Sequence, residues 1–147
     1  MENDSKESDF QINFNIAKRH LSRKQVLKAL PYLKYLQEHH PNSANLKYLI
    51  GVCYVEAEIT GENAIPLLQD AVLNVSTEYD PNILEENRAP VYAYYYLSVA
   101  YSQKKRCEEA KKARKKFIEI YHYNDNFYLE ESQLWIDKCI GKPELMV

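Results

Sequence analysis

Glycine and long apolar runs are scarce in this sequence, and both shortages narrow the choice of fold. The chain has 3 glycines among 147 residues, and its apolar residues do not follow the strict alternation of β-strands. No apolar run approaches the roughly 20 residues that a membrane-spanning helix needs. Charge is balanced, with 19 Lys and Arg against 21 Asp and Glu, so the chain has no general attraction to nucleic acid or anionic lipid. These features favour a helical domain without a membrane span.

The cysteines show no pattern of a metal or redox site. Cys53, Cys107 and Cys139 form no C-x-x-C pair and no Cys/His spacing, which argues against zinc binding and thioredoxin chemistry. Cys53 lies in an apolar helical run, where a cysteine usually serves as a small buried hydrophobic residue. Because the number of cysteines is odd and their spacing is long, we expect all three to be free thiols.

Catalytic motifs are missing too. The sequence has no Gly-rich phosphate loop and no Ser-His-Asp or Cys-His arrangement with a supporting motif. Its four histidines fall at a helix-packing position, beside a proline or at a helix end, where structural roles are usual. We therefore predict that the protein is not an enzyme and has no catalytic, cofactor-binding or metal-binding residues.

What the sequence does have is one helical motif that occurs three times. Each copy has a large apolar residue, a small residue, two spacers and a ring: Ile16-Ala17-x-x-His20, Ile50-Gly51-x-x-Tyr54 and Leu97-Ser98-x-x-Tyr101. A glycine inside a helix costs roughly 1 kcal/mol relative to alanine, so Gly51 needs a compensating role. The usual role is to let another helix cross at short distance. The motif therefore predicts helices that pack closely at Ala17, Gly51 and Ser98.

The periodicity of the apolar residues extends this motif to seven helices. We predict the first from near Asp9 to beyond Leu21, and the others at about 24–38, 44–57, 64–75, 89–103, 107–121 and 127–139. Residues 76–88 form the longest irregular stretch. Residues 1–8 are polar and are predicted to be disordered.

The helices form pairs with a period of 34 residues, which is the length of a tetratricopeptide repeat. The predicted domain spans residues 9–140, with repeats at about 10–43, 44–76 and 91–123, a linker at 77–90, a capping helix at 127–139 and a tail at 141–147. Other paired-helix solenoids share parts of this pattern. The predicted fold is all-α, a right-handed array of three tetratricopeptide-like helical hairpins with a C-terminal capping helix.

Four segments of this array resemble one protein family. They read Ala44-Asn-Leu-Lys-Tyr-Leu-Ile-Gly-Val-Cys-Tyr54, Ala64-Ile-Pro-Leu-Leu68, Asn74-Val-Ser76 and Arg88-Ala-Pro-Val-Tyr-Ala-Tyr-Tyr-Tyr-Leu97. They are similar to the tetratricopeptide region near the N-terminus of Bacteroidota envelope proteins, and the likeness covers about residues 44–139. In that family a β-propeller-like segment and an OmpA-like peptidoglycan-binding domain usually follow, and some members serve type IX secretion or gliding. The resemblance implies a role in an envelope or secretion assembly.

The resemblance and the N-terminus lead to different expectations about location. The polar N-terminus has no hydrophobic secretion signal, so the chain as written predicts a cytoplasmic protein. An excised module of the resembled family would instead be periplasmic or associated with the outer membrane. The oligomeric state stays open.

In repeats of this type, the first helix of each pair lines a concave groove through its second, fifth, ninth and twelfth positions. These positions predict a partner-binding surface formed by Phe14, Lys18, Asn45, Tyr48, Val52, Val55, Tyr92, Tyr95 and Val99. Such an aromatic and aliphatic surface suits an extended peptide or a partner helix. The Lys/Asn/Arg set of chaperone adaptors is missing, because Phe14, Leu49 and Tyr96 occupy three of its five sites. We therefore predict a non-enzymatic scaffold that binds a protein or peptide.

Two further features leave alternatives open. Residues 104–116 hold eight basic residues among 13, which suits nucleic acid or an anionic surface, but a solvated helix face with Glu108 beside Lys111 explains them as well. This segment has no aromatic residue for stacking on bases, which disfavours nucleic acid. The seventh helix, with Trp135, either caps the last repeat or folds back over part of the groove.

Overall fold

The computed structural model describes residues 2–59 and 61–141, with side chains for residues 9–59 and 62–141. This part of the chain forms seven helices and no strand, which confirms the predicted all-α fold. The helices are α1 (Glu2–Ser22), α2 (Val26–His39), α3 (Ala44–Glu56), α4 (Gly61–Val72), α5 (Tyr92–Gln103), α6 (Cys107–Ile120) and α7 (Phe127–Cys139). None of these helices combines the length and the apolar character that crossing a membrane requires.

Short turns fold the first six helices into three hairpins, α1–α2, α3–α4 and α5–α6. Each turn contains one residue with positive φ: Lys24 at 58°, Glu58 at 54° and Lys105 at 61°. The next residue donates its N–H to the carbonyl of the motif's ring residue: Gln25 to His20 at 2.8 Å, Ile59 to Tyr54 at 3.1 Å and Arg106 to Tyr101 at 2.9 Å. The same backbone turn therefore ends the first helix of all three hairpins.

The hairpins pack on one another in chain order. α2 packs on α3, α4 packs on α5, and the first helices α3 and α5 also touch. α7 follows α6 as its neighbour and packs on both α5 and α6. One apolar core surrounds Phe14 and Leu36, and a second surrounds Leu68 and Phe117. This arrangement is compatible with a helical-hairpin array whose last hairpin is covered by α7.

The small residues of the repeated motif lie where helices cross. Ala17, Gly51 and Ser98 are all buried. A Cβ atom added to Gly51 would lie 2.7 Å from Cγ of Leu68, so α3 and α4 approach more closely than an alanine would allow. Ser98 donates its Oγ hydrogen to the carbonyl of Ala110 at 2.8 Å, which joins α5 to α6. The predicted close packing is confirmed at Gly51 and Ser98, and Ala17 is buried as well.

The N-terminal boundary of the fold differs from the sequence prediction. α1 begins at Glu2 rather than near Asp9, so residues 2–8, which were expected to be disordered, are helical. Once the segment after Asp9 is packed, the helix extends at little cost, because each added residue gains one hydrogen bond. The predicted tail at 141–147 lies, apart from Gly141, outside the described residues.

The connection between α4 and α5 spans residues 73–91 and is longer than the predicted linker at 77–90. α4 ends at Val72 rather than at residue 75 because the backbone that follows pairs elsewhere. The carbonyl of Asn74 accepts from the N–H of Ala89 at 3.0 Å, and the carbonyl of Ala89 accepts from the N–H of Ser76 at 3.0 Å. This pairing forms an isolated parallel bridge, so the two ends of the connection lie side by side.

Cys107 and Cys139 form a disulfide, so the prediction of three free thiols is wrong for these two residues. Cys107 is the first residue of α6 and Cys139 is the last residue of α7. Packing of α7 on α6 brings their Cα atoms to 5.7 Å, and their separation of 32 residues gives no sign of this in the sequence. Cys53 is free and buried, and its burial raises the pKa of the thiol to about 12.

Candidate binding groove

A groove of about 560 Å³ lies between the first helices of the hairpins and α7. α3 contributes Tyr48, Leu49, Val52 and Glu56, and α5 contributes Tyr95 and Tyr96. α7 contributes Phe127, Tyr128, Glu131 and Trp135. The first hairpin contributes Leu21 from α1, Lys24 from the turn and Val26 from α2. All three hairpins and α7 therefore contribute to one concave surface, called the groove below.

Four tyrosines from three helices form an aromatic wall in this groove: Tyr48, Tyr95, Tyr96 and Tyr128. The ring of Tyr95 lies 4.9 Å from that of Tyr96 and 4.9 Å from that of Tyr128, and the Tyr48 and Tyr96 rings lie 5.9 Å apart. All three pairs are edge-to-face, the geometry that aromatic quadrupoles favour. All four line the groove. Tyr95 is 7% exposed and also belongs to the core, whereas the other three are half-buried.

Two carboxylates, Glu56 and Glu131, stand beside this wall. The Tyr96 hydroxyl donates to Oε1 of Glu56 at 3.1 Å, while Glu131 has no hydrogen bond or ion pair with any described residue. Burial raises the pKa of Tyr95, with Glu131 and Glu56 as further causes, and burial together with Glu56 raises the pKa of Tyr96. Both hydroxyls are therefore protonated at neutral pH, and the groove combines a neutral aromatic wall with two negative charges.

Three of the nine residues predicted to bind a partner line the groove: Tyr48, Val52 and Tyr95. Four others are buried, namely Phe14, Asn45, Val55 and Val99. Lys18 lies over the ring of Phe14, with its Nζ 4.7 Å from the ring centroid. Tyr92 belongs to a neighbouring ring cluster, 4.6 Å from Tyr128 and 5.9 Å from Tyr121.

The groove-lining face of α3 is rotated from the predicted one because both ends of that predicted face are covered. Near the start of α3, Oδ1 of Asn45 accepts a hydrogen bond from the hydroxyl of Tyr79 in the connection 73–91. Near its end, Val55 is packed in the core, and its carbonyl accepts from Nε2 of Gln103 on α5 at 3.1 Å. Leu49 and Glu56 line the groove instead.

Several residues that line the groove were not among the predicted partner-binding residues: Leu49, Glu56, Tyr96, Phe127, Tyr128, Glu131 and Trp135. Leu49 and Tyr96 carried a usable signal, because they occupy positions that bind the ligand in chaperone adaptors. The α7 residues could not be identified from the sequence, because the orientation of a terminal helix depends on tertiary packing, which leaves no local sequence pattern.

α7 covers the last hairpin and also lines the groove, so the two predicted roles of this helix are combined. On one face, Ser132 and Ile136 are buried. Arg114 of α6 donates from Nε to Oγ of Ser132 at 2.8 Å and from Nη2 to the carbonyl of Leu129 at 3.1 Å. Another face presents Tyr128, Glu131 and Trp135 to the groove.

The connection 73–91 holds the start of α3 through Glu86, a carboxylate that is 3% exposed. Its Oε1 accepts from Nε of Arg88 at 2.6 Å, and its Oε2 accepts from Nη2 of the same residue at 3.1 Å. The Arg88 guanidinium holds the pKa of this carboxyl below its usual value. The Glu86 carbonyl accepts from Oγ of Ser43 at 2.8 Å and from the N–H of Asn45 at 3.2 Å. The connection therefore fixes the helix that supplies the floor of the groove.

Half of the eight basic residues in the segment 104–116 are in ion pairs within the chain. Its ion pairs are Lys104 with Glu62 at 3.6 Å, Arg106 with Glu109 at 2.6 Å, Lys111 with Glu108 at 3.2 Å and Lys116 with Glu119 at 3.9 Å. Arg114 is turned toward α7. These contacts suit a solvated helix face whose positive charge is partly offset.

In the described residues, no three His, Cys, Asp or Glu side chains are grouped so as to hold a metal ion. No protein-family model, curated protein or solved structure matches the chain. The geometry of the groove is therefore the basis for assigning a function.

Proposed function

We propose that this protein is a non-enzymatic interaction scaffold that binds a peptide or a partner protein in the groove. The supporting observation is that half-buried aromatic side chains from α3, α5 and α7 converge on one concave surface. Tyr and Trp contribute strongly to protein interfaces because they bury a large area with few rotatable bonds. A groove of this kind suits an extended segment or an amphipathic helix.

The array is proposed to be a right-handed, tetratricopeptide-like one. The positive-φ turn residues Lys24 and Glu58 are separated by the 34 residues of such a repeat. Lys105 occupies the same place in the third hairpin, after the additional length of the connection 73–91. A recurring turn at the repeat period supports this type of array over an irregular helical bundle.

The scaffold is further proposed to work in an oxidising compartment outside the cytoplasm, as part of a Bacteroidota envelope or secretion assembly. The disulfide between Cys107 and Cys139 supports the compartment, because disulfides persist in the periplasm and outside cells and are rare in the cytosol. The resemblance of the segments within 44–97 to envelope proteins supports the assembly.

Peptide selection on the purified protein tests the groove. A phage-displayed random peptide library is selected on the wild-type chain, and the affinities of the recovered peptides are measured for two variants. Val52→Arg places a long side chain on the groove floor, so we expect its affinity to fall at least tenfold. Leu27→Arg alters an exposed residue of α2 outside the groove and should bind as the wild type does.

The helical circular dichroism and the unfolding midpoint of both variants establish that they are folded. If no recovered peptide distinguishes Val52→Arg from Leu27→Arg, the groove is not the binding surface and the proposal is contradicted.

The second hypothesis is that nucleic acid or an anionic surface binds to the segment 104–116. It has less support, because four of the eight basic residues are in ion pairs within the chain and Arg114 is hydrogen-bonded to α7. It predicts binding that falls steeply with salt and is lost when Lys111, Lys112 and Lys115 are changed to Glu. Weak, salt-insensitive binding to single-stranded RNA and to anionic vesicles would exclude it.

A further inference from the structure

We propose that the groove recognises its partner through a basic side chain, lysine or arginine, held between the aromatic wall and the carboxylates of Glu56 and Glu131. This inference rests on the proposed function of the groove and specifies the chemistry of the ligand. The partner is thus a protein segment with an exposed Lys or Arg flanked by apolar residues.

The first supporting observation is the unpaired state of Glu131. This side chain is half-buried, lines the groove and has no ion pair or hydrogen bond with the described residues. Acidic side chains elsewhere on the protein have basic partners, as Glu108 and Glu109 do on α6. A carboxylate left unpaired beside apolar rings is stabilised by a cationic ligand that arrives with its own apolar stem.

The second observation is the aromatic surface between the two carboxylates. The rings of Tyr95, Tyr96 and Tyr128 form a connected edge-to-face group. A cation within about 6 Å of such a ring centroid is attracted by the negative face of the ring. The methylene stem of a Lys or Arg side chain packs on the same rings, so one ligand side chain satisfies both features.

The third observation is how charge is distributed over the groove. Glu131 and Glu56 line the groove together with Tyr95, and both add to the effect of burial in raising the pKa of the Tyr95 hydroxyl. Lys24, in the α1–α2 turn, is the cationic residue among the lining side chains, and α7 contributes none. The α7 side of the groove is therefore negative, which disfavours the acidic C-terminal tails that chaperone adaptors bind.

A neighbouring depression provides an internal contrast. It has a volume of about 310 Å³ and shares Trp135 with the groove, but its lining includes Lys105 and Lys138 with Glu58. A basic ligand side chain would meet like charges there. The same Trp135 therefore separates an acidic aromatic site from a mixed, mainly basic one, and the basic side chain belongs on the Glu131 side.

Peptides recovered on the wild-type protein test this inference. We expect their sequences to be enriched in Lys or Arg. A synthetic peptide of the strongest binder is compared with versions in which each basic residue is replaced by norleucine or citrulline, using fluorescence anisotropy. One such replacement is expected to weaken binding to the wild type at least tenfold.

The protein side of the test uses two variants with the same change in net charge. Glu56→Gln/Glu131→Gln removes the groove carboxylates, whereas Glu38→Gln/Glu130→Gln removes two exposed carboxylates outside the groove. The first variant should bind the parent peptide at least tenfold more weakly and should bind the norleucine or citrulline peptide as the wild type does. The second variant should bind both peptides like the wild type.

The outcomes separate this inference from the proposed function. Suppose that Val52→Arg abolishes binding of the peptides but that no basic residue of the peptides is needed. The proposed Lys or Arg anchor is then wrong, and the proposed binding function of the groove stands. Unchanged affinity of the parent peptide for Glu56→Gln/Glu131→Gln also overturns the anchor. If no peptide is sensitive to Val52→Arg, the groove function itself fails, and the anchor fails with it.

Discussion

Gly51 lies where α3 crosses α4, directly opposite the fully buried side chain of Leu68. Leu68 is enclosed by the core, so it has little freedom to move away from an added methyl group. Spacing between α3 and α4 is therefore fixed by the absence of one side chain. Because α3 also carries the floor of the groove, this single residue affects the shape of the binding surface.

Gly51→Ala is expected to destabilise the protein by up to about 2 kcal/mol. Overpacking against Leu68 costs about 1–3 kcal/mol, and the better helix propensity of alanine returns about 1 kcal/mol. Urea unfolding measures the difference. In a Leu68→Ala background the added methyl group has space, so there the change should be neutral or stabilising. An equal loss in both backgrounds would show that the two side-chain positions do not interact.

Glu86 shows how a buried charge can hold a long connection in place. Its carboxylate is ionised against Arg88 and its carbonyl binds the start of α3. Because Arg88 lowers the pKa of Glu86 from the usual 4.5, the ionised form stabilises the fold above that pH. This stabilisation is lost as the pH falls through the lowered pKa.

Glu86→Gln is expected to reduce stability by about 1–3 kcal/mol at about pH 7, and by less at about pH 3. The measurement is the free energy of urea unfolding of both proteins at the two pH values. Glu109→Gln, which breaks an exposed ion pair with Arg106, serves as the control and should reduce stability much less than Glu86→Gln does, because solvent screens an exposed pair. If Glu86→Gln lowers the free energy of unfolding by the same amount at both pH values, the role of the ionised carboxylate is contradicted.

The disulfide is the element that fixes α7 against α6 and thereby fixes the α7 side of the groove. It joins the first residue of α6 to the last residue of α7, so it holds the two helices at the end far from their connecting loop. Tyr128, Glu131 and Trp135 depend on this placement for their position in the groove.

Reduction of Cys107–Cys139 is expected to destabilise the protein by about 3–4 kcal/mol, the cost of losing a cross-link over about 30 residues. The urea midpoint with and without reductant measures this, and a Cys107→Ser/Cys139→Ser variant should not respond to reductant. In denaturant, alkylation before reduction should label Cys53 alone. Labelling of all three cysteines before reduction would show that the disulfide is absent.

The ends of some helices can be predicted from the sequence, whereas the ends of others depend on contacts between residues that are distant in the chain. α7 was predicted at 127–139 and is observed as Phe127–Cys139, because the polar Asn-Asp-Asn turn at 124–126 marks its start in the local sequence. α4 was placed at 64–75 but spans Gly61–Val72. The pairing of Asn74 with Ala89 decides where α4 stops, and it joins residues that are distant in sequence.

Prediction of the groove residues is limited in the same way, because contacts between distant residues decide which side chains are covered. The repeat pattern identified Tyr48, Val52 and Tyr95 because positions on the exposed face of a helix recur with its period. It could not show that Asn45 is covered by the connection 73–91, or that Val55 is covered by the next hairpin. It also could not orient α7, whose position depends on its contacts with α5 and α6.

In the molecule as a whole, three hairpins and a covering helix bring residues of α1, α3, α5 and α7 to one groove. Each element supplies only a few groove residues, so no single helix could bind a partner alone. The surface exists because the crossings at Gly51 and Ser98, the connection 73–91 and the disulfide together fix α3, α5 and α7. A change in any of these contacts should therefore alter binding as well as stability.

Chemical-shift mapping by NMR tests the central claim, that the groove is the partner-binding surface, most directly. The isotope-labelled wild-type protein is titrated with the strongest peptide from the selection. If the peptide binds in the groove, the largest shifts will occur at Leu49, Val52, Tyr96, Glu131 and the indole of Trp135. Shifts concentrated on Lys111, Lys112 and Lys115 of α6, with the groove signals unmoved, would contradict it.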